Sequence, residues 1–261
     1  MNNQAVDQKK SIFTVLIGII SIGLILWIVI AFTTNRKKNL IYLTGFSEFA
    51  STTNNPTQNI VKKFESGYFD QYLPNGFGKT YDLQSCVLEV SIDAVEEYFD
   101  QIDLKDLSKK YANVHFIHMG LYDSYPAFRL EYYAHNNATF SVPDQKGNQP
   151  YEQLIETSKP LGFARSTDFP VFDMQSSIRS DPQLSIPSTV DVVVGTDAGT
   201  FVCNYLYYSS LMFTQTGNDL SYEFDSISSL FMHVPGYTLD ENVEDDGGII
   251  VCDVMKDLFS S

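Results

Sequence analysis

The chain has 261 residues, 44% hydrophobic and 14% aromatic, a composition that supports a packed core and rules out a disordered chain. Its formal charge is −15, and from Asn39 onward 12 Lys and Arg stand against 31 Asp and Glu. With no basic stripe to neutralise a phosphate backbone, no nucleic acid is expected as a partner.

The chain divides into an N-terminal tail (1–11), an apolar run (12–32), a basic segment (33–38) and one domain (39–261). The run IFTVLIGIISIGLILWIVIAF carries no charge, and its ~21 residues at 1.5 Å each reach about 31 Å, the thickness of a bilayer's hydrocarbon core. Trp27 and flanking lysines and arginines suit interfacial anchoring. A cleaved signal peptide is the rival, but its apolar region is shorter, about 7 to 15 residues, and ends in a small-residue site. The expectation is a single-pass anchor that meets the lipid bilayer through residues 12–32, with the domain on the cytoplasmic side.

Within the domain, residues 39–44 (NLIYLT) predict a buried strand and 56–64 a helix, with Pro56 in its first turn and Ile60, Val61 and Phe64 on one face. Residues 85–90 predict a second strand, and 92–111 one helix with Val95, Tyr98, Phe99, Ile102 and Leu107 recurring at helical spacing. Strands follow at 113–119 and 128–133. A long loop spans 136–161, which is rich in Asn, Gln, Gly and Pro. A helix at 172–179, a strand at 189–195 (TVDVVVG), a helix at 200–212, a short strand at 230–234 and a helix at 249–259 complete the pattern. Strands alternating with helices predict a single α/β domain whose mostly parallel, twisted sheet is covered by helices on both faces.

In such sheets ligands gather at the carboxyl ends of strands. Cys203 follows the strand TVDVVVG and falls in the first turn of the next helix, where the positive end of the helix dipole favours a thiolate. His233 ends a short apolar strand, and Glu131 interrupts an aromatic one. Together they could make a nucleophile, a base and an orienting acid, although taken singly each is more often an ordinary core or strand residue. Cys86 and Cys252 read as small buried hydrophobes. His115, His118, His135 and His233 form no metal-binding pattern, so neither a metal nor a cofactor is expected.

Five segments in order resemble the pyroglutamyl-peptidase I family of cysteine peptidases. TGFSEF (44–49), with Asn55-Pro56 beyond it, is similar to that family's opening TGFxPF and NP signature. RLEYYAHN (129–136) is similar to its LERVAIN, PDQKGNQP (143–150) to PDNxGxQP, GTFVCN (199–204) to AGTFVCN, and FMHVP (231–235) to its histidine segment. The resemblance implies an omega peptidase that removes N-terminal pyroglutamyl residues from peptides, with catalytic Cys203, His233 and Glu131. Phe46 and Phe49 would flank the lactam ring, and Val202 and the Gly120-Leu121 backbone would supply further contacts. Two departures bear on activity. Ser141 stands where the family has an arginine assigned to oxyanion stabilisation, and residues 121–125 (LYDSY) replace a glycine- and arginine-containing loop. Longer separations between the three residues imply insertions near 181–187 and 214–222.

The competing reading is a catalytically weak or silent relative acting as a membrane-tethered peptide- or protein-binding module. A nucleoside phosphorylase-like enzyme lacks a glycine-rich or arginine-supported phosphate site here. Assembly into a homo-oligomer is left open by the sequence.

Overall fold

The apolar run near residue 40 lies in strand β1 (Lys38–Phe46), the first element of a computed structural model that describes residues 37–49, 52–123, 125–220 and 222–260. Helix α1 (Pro56–Glu65) begins where the Asn55 side chain accepts from the Thr57 amide at 3.1 Å, a cap worth about 1 kcal/mol. The one-turn helix α2 (Phe77–Thr80) leads into strand β2 (Tyr81–Leu88). β2 starts earlier than the sequence predicts because it is an edge strand, and its polar alternation, YDLQSCVL, hides its first half.

The single helix expected at 92–111 is two, α3 (Ile92–Asp100) and α4 (Leu104–Lys110). Asp103 causes the break: its carboxylate accepts from the Asp106 amide at 3.0 Å, so the chain restarts a helix instead of continuing one. Strand β3 (Tyr111–Leu121) follows, then β4 (Ala127–Glu131) and β5 (Tyr133–His135) in place of one strand. At Tyr132 the chain leaves the main sheet: its amide still donates to Gly195 O (2.7 Å), while its carbonyl accepts from Thr167 N (3.1 Å). β5 then pairs with β6 (Ala164–Ser166) in a separate two-stranded sheet.

Helix α5 (Val171–Ile178), strand β7 (Asp191–Gly195), helix α6 (Val202–Asp219), strand β8 (Ser226–Val234) and helix α7 (Val243–Ser260) complete the fold. α7 begins before the expected 249 because Glu244, Asp245 and Asp246 suit a helix N-terminus, while Gly247 and Gly248 depress helix propensity and mask the start in sequence.

The main sheet has the order β2-β1-β3-β8-β4-β7 and is mostly parallel. Only the β4–β8 pairing is antiparallel, so β4 and β7 run against the other four strands. One face packs Ile41, Leu43, Ile117, Met119, Leu230 and Met232 beneath α1, α5 and α7. The other carries Leu40, Val114, Phe116, Ile227 and Phe231 beneath α3, α4 and α6. Burial on both sides explains why the central strands read as unbroken apolar runs.

The expected transmembrane helix at residues 12–32 lies outside the described residues. Among the described residues no helix is long and apolar enough to cross a membrane. The expected localisation as a membrane-anchored domain is therefore corrected, and no membrane placement is carried into the functional reading.

Candidate active site

The antiparallel pairing of β4 with β8 sets Arg129 opposite His233 and Glu131 opposite Phe231. Because side chains alternate along a strand, Arg129, Glu131, Phe231 and His233 share one face of the sheet. Glu131 is fully buried there, and its Oε1 accepts from His233 Nδ1 at 2.8 Å and from Arg129 Nε at 2.8 Å. A carboxylate beside Nδ1 fixes the tautomer with its proton on Nδ1 and leaves Nε2 for the sulfur. Tyr207, in α6, donates its hydroxyl to the Glu131 carbonyl at 2.6 Å and fixes the backbone behind the carboxylate.

Cys203 reaches the same place from the first turn of α6, near enough to the ring for its sulfur to bear on the charge of His233. Burial disfavours charge on His233, but the interactions with Cys203 and Glu131 outweigh it and raise the imidazole from 6.5 to about 9. At neutral pH the ring is therefore an imidazolium. Phe231 and Tyr122 hold it in place, with ring centroids 4.9 and 5.5 Å away.

Two glycines create the space for this arrangement. A Cβ on Gly120, opposite His233 on β3, would lie 2.7 Å from Cys203 Sγ and 2.7 Å from Phe231 Cζ. A Cβ on Gly195, opposite Glu131 on β7, would lie 2.0 Å from Glu131 Oε2. Each bare backbone leaves room for the side chain packed against it.

The first turn of α6, which carries Cys203, is tied to the end of β5 and the residues just beyond it. Buried Asn204 accepts from His135 N (2.9 Å) and donates to the carbonyls of His135 (2.8 Å) and Asn137 (3.0 Å). The expected long loop at 136–161 is held by side chains rather than by a ladder. Asp144 accepts from the amides of Ile92, Lys146 and Asn148, and these bonds pull its carboxyl below the usual range against the opposing effect of burial.

Phe46 (3% exposed), half-buried Phe49 and fully buried Val202 belong to one apolar cluster that Cys203 borders. Phe201 packs against Phe49 and Phe140, with centroids 5.4 and 4.5 Å away. Leu121 stands apart from that cluster: it follows Gly120 at the end of β3 and pairs with Val234. Ser141 is exposed, and its carbonyl accepts from Gln149 Nε2 at 3.3 Å.

Sequence reasoning missed Arg129 and Gly195, and it read Gly120 only as backbone contacting the substrate, not as the space beside Cys203. Arg129 left a readable signal, since residues two apart on a strand share a face. The glycines left none, because a close approach across strands is not visible along the chain. Among the described residues no cluster of His, Cys, Asp and Glu could hold a metal ion. Two surface cavities, of about 740 Å³ beside Phe77 and about 340 Å³ beside His115, include none of Cys203, His233 or Glu131.

Comparison with known proteins places the chain in a family. The family described as pyroglutamyl peptidase matches residues 39–251. A pyrrolidone-carboxylate peptidase of Thermococcus litoralis is 28% identical over 78% of this chain and 79% of its own length. One of Streptococcus pneumoniae is 26% identical over 83% and 87%. Among solved structures, pyrrolidone carboxyl peptidase of Thermus thermophilus aligns with TM-score 0.57 at 26% identity, over 83% of this chain and 98% of its own. The Thermococcus litoralis structure aligns with TM-score 0.60 at 24% identity, over 85% and 95%. The matched region starts after residues 12–32, so the likeness brings no membrane anchor with it. With the family matched across nearly the whole described domain, the chain belongs to the pyroglutamyl peptidase family of cysteine peptidases.

Proposed function

We propose that this chain hydrolyses the amide bond after an N-terminal pyroglutamyl residue, with Cys203 as nucleophile, His233 as acid and base, and Glu131 as the group that orients His233. The observation that carries the reading is the 2.8 Å bond between buried Glu131 and His233 Nδ1, with the Cys203 sulfur brought beside Gly120, the residue opposite His233 in the sheet.

The Cys203 sulfur attacks the pyroglutamyl carbonyl carbon and forms a C–S bond. The negative oxygen faces the first amides of α6, which have no partners within the helix. As the C–N bond breaks, the imidazolium proton passes from Nε2 to the departing amine, leaving a thioester and a neutral ring. Nε2 then takes a proton from water, the hydroxide attacks, the C–S bond breaks, and pyroglutamate leaves with the Cys203 sulfur and the imidazolium restored. Phe46, Phe49 and Val202 offer the apolar walls that a flat neutral lactam requires, and Leu121 lies beside Gly120 at their edge.

The competing reading, a silent peptide- or protein-binding relative, draws on Ser141, which supplies no cation where the family has an arginine. Loss of one oxyanion donor costs on the order of 100- to 1000-fold in rate and leaves hydrolysis measurable. The test is release of a chromophore from a pyroglutamyl amide by the wild type and by Cys203→Ala. The proposal expects turnover in the first and none in the second, and equal turnover refutes it.

A further inference from the structure

We propose that Arg129 is a positioning residue of this site, holding the Glu131 carboxylate aimed at His233, so that the reactivity of Cys203 depends on a cation that touches neither the sulfur nor the substrate. The inference rests on the catalytic roles proposed above. It concerns a residue that belongs to none of the three.

Glu131 is fully buried, and its Oε2 has no hydrogen-bond partner among the described residues. All its polar support therefore reaches Oε1, from His233 Nδ1 and Arg129 Nε, both at 2.8 Å. A buried carboxylate is tolerated only when its charge is met. His233 alone cannot meet it through the whole reaction, because the ring gives up its extra proton when the leaving group departs. Arg129 keeps its charge throughout, and its pairing with Glu131 raises it further against the effect of burial. The order of groups is then cation, carboxylate, imidazole, sulfur.

The guanidinium is itself fixed on several sides. Its Nη2 donates to the Asp197 carbonyl at 3.2 Å, within the loop that leads to the Cys203 helix. Its plane lies 4.9 Å from the Tyr125 ring centroid and 5.7 Å from that of Tyr122, which in turn flanks His233. The side chain is 14% exposed. An ordinary surface ion pair would show neither this burial nor this agreement of contacts.

The test compares full-length wild type, Arg129→Met and Arg129→Lys by two readouts. The first is the rate of Cys203 alkylation by iodoacetamide at pH 7, read on the Cys203 peptide by mass spectrometry. The second is kcat and KM on a pyroglutamyl amide. Arg129→Met should slow both alkylation and kcat by about 10- to 100-fold with KM within about threefold, as a misaimed catalytic group does. Arg129→Lys, which keeps the charge but not the fork, should recover part of the loss. Met-variant rates within about twofold of wild type overturn the inference, as does a Lys variant no better than the Met one. Should the Met variant lose its native near-ultraviolet circular dichroism, Arg129→Gln takes its place under the same criteria. If wild-type Cys203 alkylates rapidly but turns over no pyroglutamyl amide, the peptidase proposal fails while the alkylation comparison still decides the role of Arg129.

Discussion

Replacing Gly195 by Ala adds one methyl group, and the structure gives its consequence in ångströms. The new Cβ would stand 2.0, 2.4 and 2.7 Å from Oε2, Cδ and Oε1 of Glu131, all inside van der Waals contact. The carboxylate cannot swing into water, since the residue is fully buried, and any rotation that clears the methyl breaks the 2.8 Å bonds to His233 and Arg129. Separating a buried charge from its partners costs about 3–5 kcal/mol, and part of that is recovered as neighbours relax, so a stability loss of about 2–4 kcal/mol is expected. Removing the group that orients a catalytic histidine costs up to about 10⁴-fold in kcat, and a displaced carboxylate should cost on the order of 10² to 10⁴. A double-mutant cycle isolates the cause. With Glu131→Ala already in place there is nothing for the methyl to strike, so Gly195→Ala should then cost less than about 1 kcal/mol in urea denaturation. If its cost is the same in both backgrounds, the strand–carboxylate contact is not what requires glycine at 195, and the reasoning fails.

Four further outcomes follow from the structure. Gly120→Ala should fold with a loss of about 1–3 kcal/mol, yet lower kcat on a pyroglutamyl amide by about 100-fold, because the methyl meets the Cys203 sulfur at 2.7 Å; wild-type kcat would contradict this. The imidazolium must protonate the leaving amine, so kcat should fall as pH rises through about 9, and a limb near 6.5 would show that Cys203 and Glu131 do not hold the proton on His233. The raised pKa also favours the folded state below about pH 6.5 and loses that contribution as pH climbs to about 9, so stability contributed by His233 should decline over that interval in denaturation measurements. Finally, burial and then the neighbouring carboxylate of Asp240 push Asp246 up to about 6, so its contribution to folding falls as pH rises from about 4 to 6. Asp246→Asn can keep an acceptor for the Ser185 amide and should add about 1–2 kcal/mol at pH 7.5 but nothing at pH 4; equal effects at both would refute the account.

The sequence made β3 legible because an apolar run buried on both faces, as in NVHFIHM, reads as a central strand, and β7 legible through its run of β-branched valines, TVDVVVG, although it lies at the sheet edge. It misled where a local hydrogen bond competes with periodicity, as at Asp103, and where a strand is half polar, as in the first residues of β2 and β8. Cys203, His233 and Glu131 were nameable from short strings, but their meeting was not, because the pairing that joins Glu131 to His233 links residues 102 apart. The partners that shape the site were harder still. Arg129 is informative only once 127–131 is known to be a strand, and Gly120 and Gly195 only once their opposite neighbours are known.

The direction of β4 and β7 is what turns these separate residues into a site. In an all-parallel sheet Glu131, as the last residue of its strand, would project beyond the carboxyl edge into solvent. Because β4 runs against β8, its carboxyl end lies instead alongside Phe231, within the sheet, where Glu131 is fully buried yet one diagonal step from His233. β7, parallel to β4, ends at the same level, so the loop that follows it delivers α6 and its Cys203 onto the face of the sheet where Gly120 leaves a gap. The reversal therefore does two things at once. It removes water from the carboxylate that must grip the imidazole, and it brings a helix N-terminus over the imidazole's other nitrogen. A charge so enclosed needs a permanent opposite charge, and the strand that carries Glu131 supplies it two residues earlier, on the same face.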